Sequence, residues 1–215
     1  MPSLPHPPCR VPAGCRRWIA VVLLATLVAG CQSGTAVDSA AVSARAASGI
    51  PDCSAWPSTS SSSAPKGTDE VGGVGRIGRR LPALTLSCLG GDRVVSTSSV
   101  LTGTPHVVTM WASWCGPCRA EAPMMAALAR SGRVDVIGVD YGEHAATDGV
   151  DFARAAGWTF PQLQDPDRTS RTAWGVAGMP VTLVVDADGV VVARRDGAWT
   201  SAQELRRAVD AALGR

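Results

Sequence analysis

Apolar and polar positions change rhythm several times along this chain. One long uncharged apolar run, Trp18–Ala29, stands near the start. From Gln32 to about Gly75 no period is sustained, and Ser, Ala, Gly and Pro dominate, as in Ser58-Thr-Ser-Ser-Ser-Ser63. From Arg80 onward regular patterns begin. Leu81–Leu86 alternates, Gly90-Gly91-Asp92 offers a turn and Arg93–Ser96 follows, which predicts a β-hairpin. His106–Trp111 is a continuous apolar run suited to a central strand, and Val134–Val139 is another. Gly116–Ala129 places Met124, Met125 and Leu128 on one side of a helix that Pro123 is expected to kink. Thr147–Ala156 predicts a helix capped by Thr147 or Asp148. A short strand over Phe160–Leu163 and a short helix over Arg168–Trp174 come next. Val181–Val185 and Val190–Arg194 flank the turn Asp186-Ala-Asp-Gly189 as a second hairpin. Ser201–Leu213 closes the chain as an amphipathic helix, with Ser201 as cap and Glu204 at its third position. The order is ββ, then βαβ with an extra αβ unit, then ββα, which describes a mixed sheet with helices on both faces.

Composition narrows the functional classes. The chain has 215 residues, 46% hydrophobic and 18% charged, which excludes a highly charged disordered protein. Its formal charge of +2 gives no reason to propose a nucleic-acid binder. Seven cysteines against three histidines suggest thiol chemistry before imidazole metal chemistry.

The first 30 residues read as an address. Arg10, Arg16 and Arg17 precede the apolar run without any acid, and small residues end it, as in a secretory signal. The run is too short to span a bilayer comfortably. Leu27-Val-Ala-Gly-Cys31 resembles a bacterial lipobox, which implies cleavage before Cys31 and lipid attachment to its sulfur. The alternative is a plain signal that leaves Cys31 as a thiol. Without residues 1–30, the 20 basic residues lose Arg10, Arg16 and Arg17, leaving 17 against 18 acids, a net charge of −1. Residues 31–75 are expected to be a flexible Ser/Ala/Gly-rich tether, and 76–215 the folded domain.

The chemistry centres on Trp111-Ala-Ser-Trp-Cys115-Gly-Pro-Cys118, placed between a buried strand and a helix. Cys115 at a helix N-terminus faces unpaired amides and the positive end of the helix dipole, which favour a thiolate. Cys118, one turn inside, is poised to attack a mixed disulfide formed on Cys115. A zinc half-site would need a second ligand pair, and no Cys or His spacing supplies one. A purely structural bridge across so short a loop would contribute little stability. A peroxidatic cysteine would need no partner three residues away.

The segment Trp-Ala-Ser-Trp-Cys-Gly-Pro-Cys-Arg-Ala-Glu-Ala-Pro resembles the active-site segment of the thioredoxin superfamily. Glu121 and Pro123 resemble the TlpA/ResA/DsbE branch of extracytoplasmic, membrane-tethered thiol–disulfide oxidoreductases. The likeness runs from about Leu81 to Leu213 and includes Gly178-Met-Pro-Val-Thr182, similar to the family's cis-proline loop. It implies a thioredoxin-like α/β fold, a mixed central sheet flanked by helices, with an N-terminal β-hairpin and an αβ insertion over Thr147–Leu163. It implies no bound cofactor, and the Cys and His spacing gives no reason to expect a metal. By the same resemblance Pro180 follows a cis bond facing Cys115, and Met179 docks an extended substrate. Glu121 tunes or deprotonates the thiols, its alternative being a solvated surface acid. Thr109 stands where cytoplasmic thioredoxins carry a buried Asp, so an Asp-type proton relay is not expected.

Trp111 is expected in the core, and Trp114, Gly116 and Pro117 at the substrate surface. Trp56, Trp158, Trp174 and Trp199 are expected to pack locally. His106 and His144 are expected at the surface or at strand ends, without a catalytic role. Cys53 and Cys88 remain; in an oxidising compartment they are expected to form a structural bridge, the alternative being a second redox couple. The resemblance implies a lipid-anchored enzyme on the extracytoplasmic face of a bacterial membrane. Its partners would be protein disulfides, apocytochrome c among them, and a membrane electron donor of the thiol–disulfide type. A disulfide-introducing oxidant is the nearest alternative. A metal- or haem-handling module that uses the CxxC as a soft ligand pair is the alternative of another class.

Overall fold

The computed structural model describes residues 39–59 and 75–215. The signal segment, Cys31 and much of the expected tether lie outside the described residues. Helix α1 spans Ser39–Ser48, and strands β1 (Thr85–Cys88) and β2 (Val94–Ser96) follow. A short α2 (Thr97–Val100) leads to β3 (His106–Trp111), α3 (Gly116–Arg130) and β4 (Asp135–Tyr141). Then come α4 (Ala146–Ala155), β5 (Gln162–Asp165) and a short α5 (Ser170–Ala173). The chain closes with β6 (Val181–Val185), β7 (Val191–Asp196) and α6 (Ala202–Ala212).

The seven strands form one sheet in the order β2-β1-β5-β4-β3-β6-β7. β3, β4 and β5 are parallel; β6 and β7 on one side and β1 and β2 on the other run antiparallel to their neighbours. This is the thioredoxin-like α/β fold, with the N-terminal hairpin and the α4–β5 insertion. The continuous apolar runs of β3, β4 and β6 serve two cores, because successive side chains point to opposite faces. Val107, Trp111, Val136 and Val184 face α3, α4 and α6, where Met125, Leu128, Val150, Leu205 and Val209 cover them. Val108, Met110, Ile137, Val139, Val181 and Leu183 face the other way, toward Val100, Leu101 and Trp174 around α2 and α5.

Several elements depart from the sequence reading for local reasons. Leu81–Leu84 does not join the hairpin, because its backbone is engaged elsewhere. Leu81 N–H donates to Gly189, Pro82 C=O accepts the Trp174 indole and Leu84 N–H donates to the Thr97 hydroxyl. α3 is as read, one helix with Pro123 inside it. α4 starts at Ala146 after Ala145, with no side-chain cap from Thr147 or Asp148. α6 begins as read, Ser201 Oγ accepting the Glu204 N–H at 3.1 Å. His106 and His144 are also as read, His106 at the start of β3, where it is buried, and His144 exposed.

The expected tether of 31–75 is the largest departure. Its residues 39–48 are helical and pack on α4. Ile50 enters the α3–α4 core and Cys53 the opposite one. Cys53 is bonded to Cys88, 35 residues away, fastening this segment to the end of β1. Ala-rich composition supports the helix without a strong apolar period, so tertiary contact decides it.

Replacing Cys53 and Cys88 together by Ser should lower unfolding stability by about 3–4 kcal/mol, the chain-entropy value for a loop of this length. A denaturation midpoint equal to that of the parent would contradict a stabilising role.

Candidate active site

The site is assembled where β3 leaves the sheet. β3 is central and wholly buried, so its end is fixed by neighbours on both sides. Trp111 is locked there by aromatic contacts with Phe152 and Trp158, at 4.9 and 5.0 Å between ring centroids. Its indole N–H donates to Gln162 Oε1 at 3.0 Å. That bond needs Gly138, since a Cβ there would lie 1.7 Å from the Gln162 oxygen.

The chain then passes Ala112, Ser113 and the exposed Trp114 to reach Cys115, the residue capping α3. Cys115 Sγ accepts the Cys118 N–H at 3.2 Å, so the sulfur occupies the anion-favouring end of the helix. Cys115 and Cys118 are joined as a disulfide with their Cα atoms 5.3 Å apart. Both are buried, while Gly116 and Pro117 between them are exposed and form the approachable rim.

β6 supplies the other wall. Its register places Val181 opposite Met110, so the preceding Pro180 lies at the end of β3. The Met179–Pro180 bond is cis. Met179 is half-buried against the cluster that contains Cys115 and Cys118.

Glu121, one turn after Cys118, is 2% exposed and therefore no surface acid. Oε2 accepts the Trp199 N–H at 3.1 Å, and Oε1 has no partner. Burial pushes its carboxyl up to about 7, against the opposing effects of the Trp199 N–H and the Arg195 charge. Trp199 itself is held by its indole N–H, which donates to Thr182 Oγ1 at 2.9 Å, and by Arg195 lying 5.0 Å over its ring. Thr182 pairs in register with Thr109, whose buried hydroxyl has no partner. Thr109 thus contributes no ionisable group, and Glu121 is the acid nearest in sequence to the cysteines. Among the described residues no three His, Cys, Asp or Glu side chains gather as a metal-ligand set.

Sequence reasoning missed Trp199 and Arg195, which fix Glu121 from 78 and 74 positions away and carry no local pattern. It also missed Ser113, Asp140 and Glu143, which meet beside the active-site loop.

A model of the AhpC/TSA family matches residues 77–194, more than half of the chain. The chain belongs to that family. Relatives that it matches are named thiol:disulfide interchange proteins. The thiol:disulfide interchange protein HelX of Rhodobacter capsulatus is 33% identical over 124 residues, 57% of this chain and 69% of that one. A solved structure of a putative thiol:disulfide interchange protein DsbE from Chlorobium tepidum aligns at a TM-score of 0.56 with 29% identity, covering 65% of this chain and 99% of that one. A secreted Mycobacterium tuberculosis disulfide oxidoreductase aligns at 0.54 with 26% identity, over 60% and 95% of the two chains. This family member is a thioredoxin-like thiol–disulfide oxidoreductase.

Glu121 gives the site a definite pH signature. Its folded pKa lies above the ordinary 4.5, so between about pH 4.5 and 7 the native chain holds a proton that the unfolded chain has lost. Stability must fall as pH rises through that window. Glu121→Gln should abolish this slope and be more stable than the parent at pH 8 by about 3 kcal/mol. The pH profile of thiol exchange should lose its inflection near 7 in the same variant. A parent-like slope would show that Glu121 is ionised in the native state throughout.

Proposed function

We propose that the mature protein is anchored through lipid on Cys31 to the extracytoplasmic face of a bacterial membrane, where it reduces protein disulfides. The reading is supported by a helix-capping Cys115 bonded to Cys118, by a cis Met179–Pro180 bond where β6 begins, and by a buried Glu121 one turn along α3.

In the reduced state the Cys115 thiolate attacks one sulfur of a substrate disulfide, forming a mixed disulfide and releasing the other sulfur as a thiolate. Cys118 gives its proton to Glu121 and attacks Cys115. The second substrate sulfur leaves and takes up a proton. Two electrons have passed to the substrate, and the enzyme is left as the Cys115–Cys118 disulfide. A membrane electron donor of the thiol–disulfide type returns it to the dithiol. Trp114, Gly116 and Pro117 form the substrate surface, and Met179 pairs with the substrate backbone. Apocytochrome c before haem attachment is the substrate class favoured by resemblance to the TlpA/ResA/DsbE branch. The Gly-Pro dipeptide shared with reducing thioredoxins supports the direction. Cys53–Cys88 is a structural bridge in this reading: both sulfurs are buried, and it fastens a segment rather than lining the site.

Cys118→Ala should trap substrates as mixed disulfides on Cys115, recoverable from membranes and released by dithiothreitol, with apocytochrome c among them. Recovery of no adduct, or of one unaffected by Cys115→Ala, would contradict the assignment of roles. Cys31→Ser should move the protein from the membrane fraction to the soluble extracytoplasmic one; unchanged membrane association would contradict lipid anchoring.

A further inference from the structure

Beside the active-site loop lies a second buried acid that dithiol exchange does not use. Asp140 is near the end of β4, paired in register with Trp111. It is 1% exposed, and neither of its carboxyl oxygens has a hydrogen-bond donor. α4 lies directly against it: a Cβ on Gly149 would sit 2.2 Å from Asp140 Oδ2, so glycine is what permits this approach. The group it meets is a second carboxyl, Glu143, in the turn after β4. Glu143 spends both oxygens on one residue of the active-site loop. Oε1 accepts the Ser113 N–H, and Oε2 accepts the Ser113 hydroxyl at 3.0 Å. Ser113 stands two residues before Cys115.

Two facing carboxylates out of water repel, and a buried carboxylate without a donor is costly. One arrangement relieves both costs: a protonated Asp140 donates to Glu143, whose two oxygens accept from Ser113. We propose that Asp140 and Glu143 are a positioning pair for Cys115: Asp140 donates to Glu143, and Glu143 clamps Ser113, fixing the loop that carries the attacking sulfur to the β4–α4 junction. Through this pair the β4–α4 junction acts on the reaction without touching the reacting atoms.

Electrostatics agree with the geometry. Burial first, then the neighbouring Glu143 carboxyl and the Asp148 charge, push Asp140 up to about 9. The titratable groups facing it are Glu143 from the turn and Asp148 from α4. β3 presents the uncharged Trp111 in register, and the end of β1 places Leu89 beside Gly149.

The proposal rests on Cys115 as the exchanging sulfur, so loop order and exchange are measured separately. Hydrogen exchange of the Ser113 amide in nitrogen-15-labelled protein reports the clamp. The rate with an aromatic disulfide reagent reports the sulfur. Glu143→Ala should lower Ser113 protection and the exchange rate each about tenfold, with β3 and α6 amides as protected as in the parent. Asp140→Asn, whose amide N–H donates where the carboxyl did, should retain both properties, and Asp140→Leu should lose both. In the parent, Ser113 protection should fall as pH rises through about 9, and Asp140→Asn should keep it. Unchanged Ser113 protection in Glu143→Ala would overturn the clamp. Lost protection with an unchanged rate would overturn its positioning role. Equal loss in Asp140→Asn and Asp140→Leu would overturn Asp140 as donor. A parent that exchanges no faster than Cys115→Ala would refute Cys115 as the sulfur, while the protection data would still decide the clamp.

Discussion

The Cys118 amide donates to the sulfur of Cys115 at the first turn of α3, and the rest of the site is arranged around that contact. A helix N-terminus offers amides with no partner inside the helix, and its dipole lowers the energy of a negative charge placed there. A thiol in that position becomes a better nucleophile and a better leaving group near neutral pH. The contact is useful only if the sulfur is held at the helix end while a substrate approaches. The central strand β3 secures one side of the loop, and the Met179–Pro180 segment at the start of β6 secures the other. The aromatic cluster of Trp111, Phe152 and Trp158 fixes the strand end itself.

The face of the sheet behind this site is unusually polar for a core. Thr109, Asp140, Gln162 and Thr182 are buried there, with Glu121 approaching from α3. Some are satisfied in pairs, as Gln162 is by Trp111 and Thr182 by Trp199. The two acids are not fully satisfied when ionised, and burial raises both. Glu121 is placed to titrate near the pH at which thiols must exchange protons, whereas Asp140 remains protonated there. Two carboxyls in one core are therefore tuned differently, and in the proposed roles one moves a proton while the other holds it. Both tasks follow from burial, tuned by neighbours: an N–H and Arg195 for Glu121, like charges for Asp140.

Much of this was legible along the chain. The alternation of helices with strands, the CxxC between β3 and α3, and the capping of α6 by Ser201 are local patterns, and local physics decides them. The proline loop was legible by resemblance. What stayed hidden depends on distant partners. α1 has no apolar stripe, and its helix is held by packing on α4 and by the bridge from Cys53 to Cys88. α4 starts at Ala146, so Thr147 and Asp148 lie inside its first turn and neither caps it. Glu121 could be named from its position after Cys118, but its burial depends on Trp199 and Arg195. Asp140 and Glu143 lie in a stretch that reads only as strand end and loop. Nothing in their spacing shows that one carboxyl faces the other while the second grips Ser113.

The most direct test of this account is the reduction potential of the Cys115–Cys118 couple in the mature protein, equilibrated against dithiothreitol with Cys53–Cys88 mapped in the same samples. The account predicts a value near that of thioredoxin, about −270 mV, with Cys53–Cys88 oxidised throughout. A value near that of the strong oxidant DsbA, about −120 mV, would contradict it and make the protein a donor of disulfides.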